Sequence, residues 1–195
     1  MKRIVIAILL AALILFGASY GLQSIAVKKA QEEHIWLMQT LLPDSVEFTV
    51  EPYTGEDANI RSVHKAENGY VIETVTYGYA DEITMVIGVS NEGKVTGLVA
   101  LEAHETPGLG NEILTDHVFL SQFLNSGGSF TIGTTGADAF SGATGEAEAE
   151  TGTEVVVDGI TGATVTSKAV ARCVNSAVGY VTGADAVSAA TSWGG

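Results

Sequence analysis

The chain has 195 residues, enough for one domain and an anchoring segment. Nine basic against 23 acidic residues give a formal net charge of -14, which excludes free nucleic acid as a partner, because phosphates need Lys and Arg as counter-charge, and disfavours adhesion to anionic lipid. A single cysteine, Cys173, excludes an intramolecular disulfide and a thiolate cluster site, and the four histidines, His34, His64, His104 and His117, show no paired ligand spacing, so no metal is expected.

In chain order, Lys2 and Arg3 precede an uncharged run from Ile4 to Val27, long enough to cross a bilayer core as a helix. Gly17-Ala18-Ser19 would suit a signal protease. Apolar character nevertheless continues through Tyr20, Leu22, Ile25 and Val27, which favours a retained anchor over residues 1–27. Lys2 and Arg3 nearly balance Lys28 and Lys29, so loop charge does little to set its orientation. Residues 28–45 read as a juxtamembrane amphipathic helix, because Ile35, Met38, Leu41 and Leu42 recur at helical spacing and Pro43 ends the run. Its apolar face would dock on its own domain or, less simply, on a neighbouring protein.

The remaining residues, 46–195, read as one mixed α+β domain. Glu47 to Val50 alternates as a short strand, and Thr54 to Arg61 reads as a polar connection. Three strand-like runs follow, Tyr70 to Tyr77, Ile83 to Val89 and Lys94 to Leu101, the last two joined by an Asn91-Glu92-Gly93 turn. Such a meander needs helices to cover its apolar face. No Gly-x-Gly-x-x-Gly follows a strand and opens a helix, so a dinucleotide-binding fold has little support. The loop His104-Glu105-Thr106-Pro107-Gly108-Leu109-Gly110 comes next; Pro107 stiffens it, and its two glycines would let the backbone approach a flat ligand. Asp116 to Leu124 reads as a short helix whose Phe119 and Phe123 belong to a core.

Residues 126–153 are rich in Gly, Thr and Ala and read as a flexible excursion, with a short strand at Phe130 to Gly133. A second strand-like run, Val155-Val156-Val157, leads into Asp158-Gly159-Ile160-Thr161-Gly162-Ala163-Thr164-Val165-Thr166-Ser167. Here a hydroxyl stands in a small-residue loop at a helix start. Gly162 and Ala163 leave the backbone before Thr164 bare, and Thr166 and Ser167 read as caps of a helix from Lys168 to Tyr180. A phosphate on Thr164 would meet the N–H groups and positive end of that helix. Cys173 reads as a small core residue of the helix. On spacing alone, an ordinary Thr-rich turn capping a helix is the better reading.

The segment Asp158 to Thr164 resembles the flavinylation motif, Asp-x-x-Ser/Thr-Gly-Ala-Thr, of the FMN-binding domain found in the G subunit of Rnf complexes and in the C subunit of the sodium-pumping NADH:quinone reductase. The loop His104 to Gly110 resembles a second segment of that family, and both stand in the family's order. The likeness runs from about Gly69 to about Tyr180. It implies FMN bound through a phosphoester to Thr164, within a site of Asp158, Thr161, Gly162, Ala163, Thr166 and Ser167. Glu105, Thr106, Gly108 and Leu109 are then candidate contacts to the flavin or its ribityl chain. Asp138 to Thr144 fits the same loose pattern, but the acidic run after Thr144 would repel a phosphate. No catalytic residue is assigned, since no nucleophile–base–orienter set is present, and this suits an electron carrier.

The resemblance further implies an electron carrier within a membrane-bound ferredoxin:NAD oxidoreductase coupled to sodium or proton translocation. Such a carrier would show little activity alone. Its partners would be the other membrane subunits and, during maturation, a magnesium-dependent flavin transferase that uses FAD. The soluble domain would lie outside the cytoplasm on a single-pass anchor. Alternatives are the corresponding component of the sodium-pumping quinone reductase, a stand-alone anchored flavoprotein, and a flavin-free anchored binding module whose Thr-rich segments are only turns.

Overall fold

The computed structural model describes residues 29, 32–105, 110–133 and 154–184. The expected anchor over 1–27, the expected excursion beyond residue 133, Thr144 and the loop residues Thr106 to Leu109 lie outside them. The chain divides into two units, Met1–Met38 and Gln39–Gly195. In the first, an exposed pair joins Lys29 Nζ to Glu33 Oε1 at 3.7 Å. A helix, α1, occupies residues 32–41, its last three residues belonging to the second unit. No helix among the described residues is long and apolar enough to cross a membrane.

The second unit is α+β. Its first half is an antiparallel five-stranded meander in sequence order: β1 Thr49–Glu51, β2 Ile60–Lys65, β3 Gly69–Tyr77, β4 Glu82–Ser90 and β5 Val95–Ala103. Two short helices follow, α2 Gly110–Ile113 and α3 His117–Ser121, then the parallel pair β6 Ser129–Gly133 and β7 Glu154–Asp158, and last α4 Thr164–Thr182.

The meander forms because its strands alternate with period two, and each can pair with its predecessor through a short turn. Along β4, Ile83, Met85, Ile87 and Val89 are fully buried on one face. They meet Ile72 of β3, Val95 of β5, and Val170, Val174, Ala169 and Ala177 of α4 in the core. Small residues on α4 let the helix lie close to the sheet, and each fully buried valine or isoleucine contributes about 1.5–3 kcal/mol over exposure. Phe119, Phe123 and Phe130 close one end of this core, with ring centroids 5.5 and 5.3 Å apart in succession. The turn between β4 and β5 is the one expected, with Gly93 at φ 79°.

The other face of β4 is covered as well. Leu41, at the end of α1, accepts a hydrogen bond from Thr96 Oγ1 at 2.5 Å. A Cβ on Gly88 would run into the Leu41 carbonyl, and one on Gly97 would come within 3.0 Å of Leu41 Cα. Glycine is needed at these strand positions for close backbone approach rather than for a turn.

The expected polar connection from Thr54 to Arg61 is shorter than read, because Ile60 and Arg61 already belong to β2. That strand buries only Ile60 and Val63 fully, and a bulge between Ile60 and Ser62 breaks its alternation. A period-two search has little to find there.

Candidate functional site

The site is organised by the start of α4. Ala163 holds the N-cap position with φ -131° and ψ 33° and has no side-chain oxygen to cap the helix. The turn before it closes through Ala163 N–H donating to the Ile160 carbonyl at 3.0 Å. Gly162 reaches φ 85°, which a residue with a Cβ adopts only at a cost. Thr161 and Gly162 are exposed, Ala163 is buried, and Thr164, the first helical residue, is half-buried.

Thr166 and Ser167 do not cap the helix as expected. The helix begins two residues earlier than Thr166, and both side chains are fully buried in its first turn. The Ser167 hydroxyl donates to the Ala163 carbonyl at 3.0 Å and accepts weakly from Ile160 N–H at 3.4 Å. It therefore fastens the motif loop from inside. Thr166 Oγ1 donates to Glu105 Oε2 at 3.0 Å.

Glu105 is itself buried, at 6 % exposure. Its Oε1 accepts from the backbone N–H groups of Tyr79 at 2.9 Å and Ala80 at 3.2 Å. One carboxylate thus joins the turn after β3 to the first turn of α4. A Cβ on Gly78 or on Gly110 would collide with it, so two glycines make room for this group. The structure brings Glu105 and Thr166 together, with the glutamate's oxygens occupied by the protein's own donors.

Asp158 ends β7 and is exposed; its backbone N–H donates to Gln122 Oε1 at 2.8 Å, and Gln122 Nε2 donates back to its carbonyl at 3.3 Å. The Gln122 amide thereby acts as a neighbouring strand at the edge of β7. Asn175 of α4 does the same for β6, accepting from Phe130 N–H at 2.7 Å and donating to its carbonyl at 2.9 Å. These two side chains fix the β6–β7 pair that delivers the motif loop to α4. Sequence reading singled out neither; an amide in a helix interior, where it is a poor former, was the available signal at Asn175.

Lys168 is exposed and Arg172 half-buried, one and two turns beyond Thr164 on α4. Arg172 Nη2 donates to the Tyr77 carbonyl at 2.8 Å, with Nε 3.4 Å from Thr76 Oγ1. Cys173 is fully buried, and desolvation pushes its thiol up to about 11, in keeping with the core role expected of it. His104 is exposed. Among the described residues no cluster of His, Cys, Asp or Glu could hold a metal ion.

A cavity of about 630 Å³ lies at the other end of α4, lined by Glu51, Tyr53, Asp57, Ser176 and Tyr180 among others. None of the motif residues borders it, so cavity size is a poor guide to the motif here. The start of α4 instead offers an open surface. A 19-residue helix without a side-chain cap, entered through an exposed glycine loop, presents backbone donors suited to a phosphate. Thr164 stands at its first position. The described residues therefore fit a phosphate-bearing group tethered there.

Comparison with known proteins places the chain in a family. Residues 78–179 match the family described as FMN-binding domain. The chain is 33% identical over 111 residues to the G subunit of the Na(+)-translocating ferredoxin:NAD(+) oxidoreductase complex of Acetobacterium woodii, covering 56% of this chain and 47% of that protein. It is 31% identical over 156 residues to the G subunit of the ion-translocating oxidoreductase complex of Methanosarcina acetivorans, covering 74% and 72%. The chain thus spans about half the length of the first relative and more of the second. Among solved structures, NqrC of Shewanella oneidensis aligns with a TM-score of 0.44 at 19% identity, over 70% of this chain and 64% of that one.

Proposed function

Because this chain belongs to the FMN-binding domain family, we propose that it carries FMN as a phosphoester on Thr164 and relays electrons within an ion-translocating ferredoxin:NAD oxidoreductase complex. One observation carries the reading. Thr164 is the first residue of a 19-residue helix whose N-cap supplies no side-chain acceptor. An anion at such a terminus gains about 0.3–1 kcal/mol, and up to about 2 where partly buried. Bound FMN supplies the chemistry of taking up and passing on electrons. The chain's part is to hold it: backbone donors of α4 receive the phosphate, exposed Gly162 leaves room for it, and Glu105 and Ser167 fix the turn that bears the threonine.

Attachment replaces the proton of the Thr164 hydroxyl by the FMN phosphorus of FAD. The Oγ–P bond forms as the pyrophosphate bond of FAD breaks, AMP leaves, and the hydroxyl proton passes to solvent. A flavin transferase carries out this step. Asp158, exposed beside the loop, and Thr161 are within the segment such an enzyme would read. Thr106, Gly108 and Leu109 are carried over as further flavin contacts by the family resemblance alone.

By the same reading, an anchor in residues 1–27 holds the domain on the extracytoplasmic side beside other membrane subunits, and the chain alone has little activity. The coupling ion is sodium or a proton. Expression with a flavin transferase and intact-mass measurement test the attachment. The mass should rise by FMN less one water, remain raised in Thr144→Ala, and return to the unmodified value in Thr164→Ala. Retention of the added mass in Thr164→Ala would remove the site assignment. Purification of the native protein tests the relay: membrane subunits and ferredoxin-oxidising activity should accompany it.

A further inference from the structure

Thr164, Lys168 and Arg172 fall at i, i+4 and i+8 on α4 and so form one stripe of the helix. Side chains of a helix lean towards its N-terminus, which favours a reach from both cations towards Thr164. Arg172 is tied at one end, its Nη2 donating to the Tyr77 carbonyl at the end of β3 at 2.8 Å. Just beyond, Tyr79 and Ala80 are held by Glu105, which also holds Thr166. The end of β3 and the turn after it are thereby fastened to α4 at two levels, one of them the guanidinium itself. Two of its five N–H donors are engaged among the described residues.

Neither charge is met by a carboxylate within 4.0 Å among the described residues. Ion pairs within 4.0 Å there are Lys29–Glu33 and Arg61–Glu73, and neither Lys168 nor Arg172 joins one. In a chain of net charge -14 with nine basic residues, two such cations on one stripe beside the attachment threonine are not a general surface property. The carboxylates about the motif and the end of β3, Asp158 and Glu105 with Asp81 and Glu82 beside Tyr77, would repel an electron-rich ring. The Cα atoms of Thr164 and Arg172 are about 12 Å apart along the axis, and the arginine's backward reach shortens the gap. The ribityl arm and ring of an FMN span a comparable distance.

We propose that Arg172 binds the flavin ring of the FMN on Thr164, setting a fixed positive charge against the part of the ring where negative charge collects on reduction. This rests on Thr164 being the attachment site. The positive charge favours the reduced flavin and raises its midpoint potential; Lys168, nearer the threonine, faces the phosphodiester and affects the ring less.

The test is redox titration of flavinylated full-length protein, followed by visible absorption, with the added mass checked in each sample. Arg172→Gln should keep the flavin and lower the two-electron equilibrium constant for reduction about tenfold, a fall of about 30 mV. Lys168→Gln should keep the flavin and shift it less. Flavinylated Arg172→Gln with an unchanged potential would overturn the proposal, because an arginine that only ties down Tyr77 would alter stability and not potential. If Arg172→Gln takes up no flavin, Arg172→Lys decides: loss of the fork geometry should lower the constant about threefold, and an unchanged potential there overturns the proposal equally. Absence of added mass from the wild-type protein itself would instead strike at the attachment reading.

Discussion

Replacing Glu105 with alanine should cost more stability than any other single change in the motif region, and the structure gives the size. Three donors lose their acceptor: Tyr79 N–H, Ala80 N–H and the Thr166 hydroxyl. Tyr79 and Ala80 are exposed residues, so water replaces most of what they lose. Thr166 has no exposed surface, and its hydroxyl is left in the interior. An orphaned buried donor costs about 1–3 kcal/mol, and hydrogen bonds to a charged acceptor are worth about 1.5–3 kcal/mol. Together these give a loss of about 2–4 kcal/mol, or roughly 4–16 °C in Tm at about 2–4 °C per kcal/mol for a chain of this size. Glu105→Gln should lose about 1 kcal/mol, since the amide oxygen still accepts from the turn and its NH2 group can donate to Thr166. The assay is denaturant unfolding of the flavin-free full-length chain, with Thr166→Val and the double variant completing a cycle. A coupling of about 1–2 kcal/mol between the two positions is expected. Additive single effects, or a loss below about 0.5 kcal/mol in Glu105→Ala, would refute the clamp.

Other outcomes follow from the same contacts. Gly162→Val should abolish flavinylation while leaving the domain folded, because φ 85° excludes a β-branched residue without moving the loop; normal labelling of the folded variant would contradict the close-approach argument. Asn175→Ala should cost about 1–3 kcal/mol by denaturant unfolding, since both bonds that hold Phe130 of β6 to α4 are lost. The Cys173 thiol, raised to about 11 by burial, gives a pH dependence. Below the ordinary value of 9.0 the thiol is neutral in both states and its contribution is fully present. As pH rises from 9.0 to about 11 only the unfolded state ionises, so stability falls by about 3 kcal/mol. Cys173→Ala should flatten that part of the curve, and an equally steep curve in the variant would exclude the thiol as its source.

Much of the fold was readable because β3 and β4 are long alternating runs and the turn after β4 carries a glycine where positive φ is needed. β2 was missed because Arg61, Ser62, His64 and Lys65 mask two buried positions, Ile60 and Val63. The start of α4 was placed too late because Thr164, Val165 and Thr166 are β-branched and intrinsically poor helix formers. Their helical conformation is supported by Thr166 reaching Glu105, a contact across 61 positions that no local pattern encodes. Both residues stood among the expected site residues, since motif resemblance singles out positions without revealing their bonds. Arg172 was not singled out, because its meaning depends on where the end of β3 comes to lie.

The most direct measurement is peptide mapping of the flavin on the native protein. Glu154 lies between Thr144 and Thr164, so cleavage after glutamates separates the two. The fragment that begins at Val155 should carry FMN less one water, with the added mass fragmenting from Thr164. An unmodified fragment from mature native protein, or flavin found on Thr144 alone, would contradict the account.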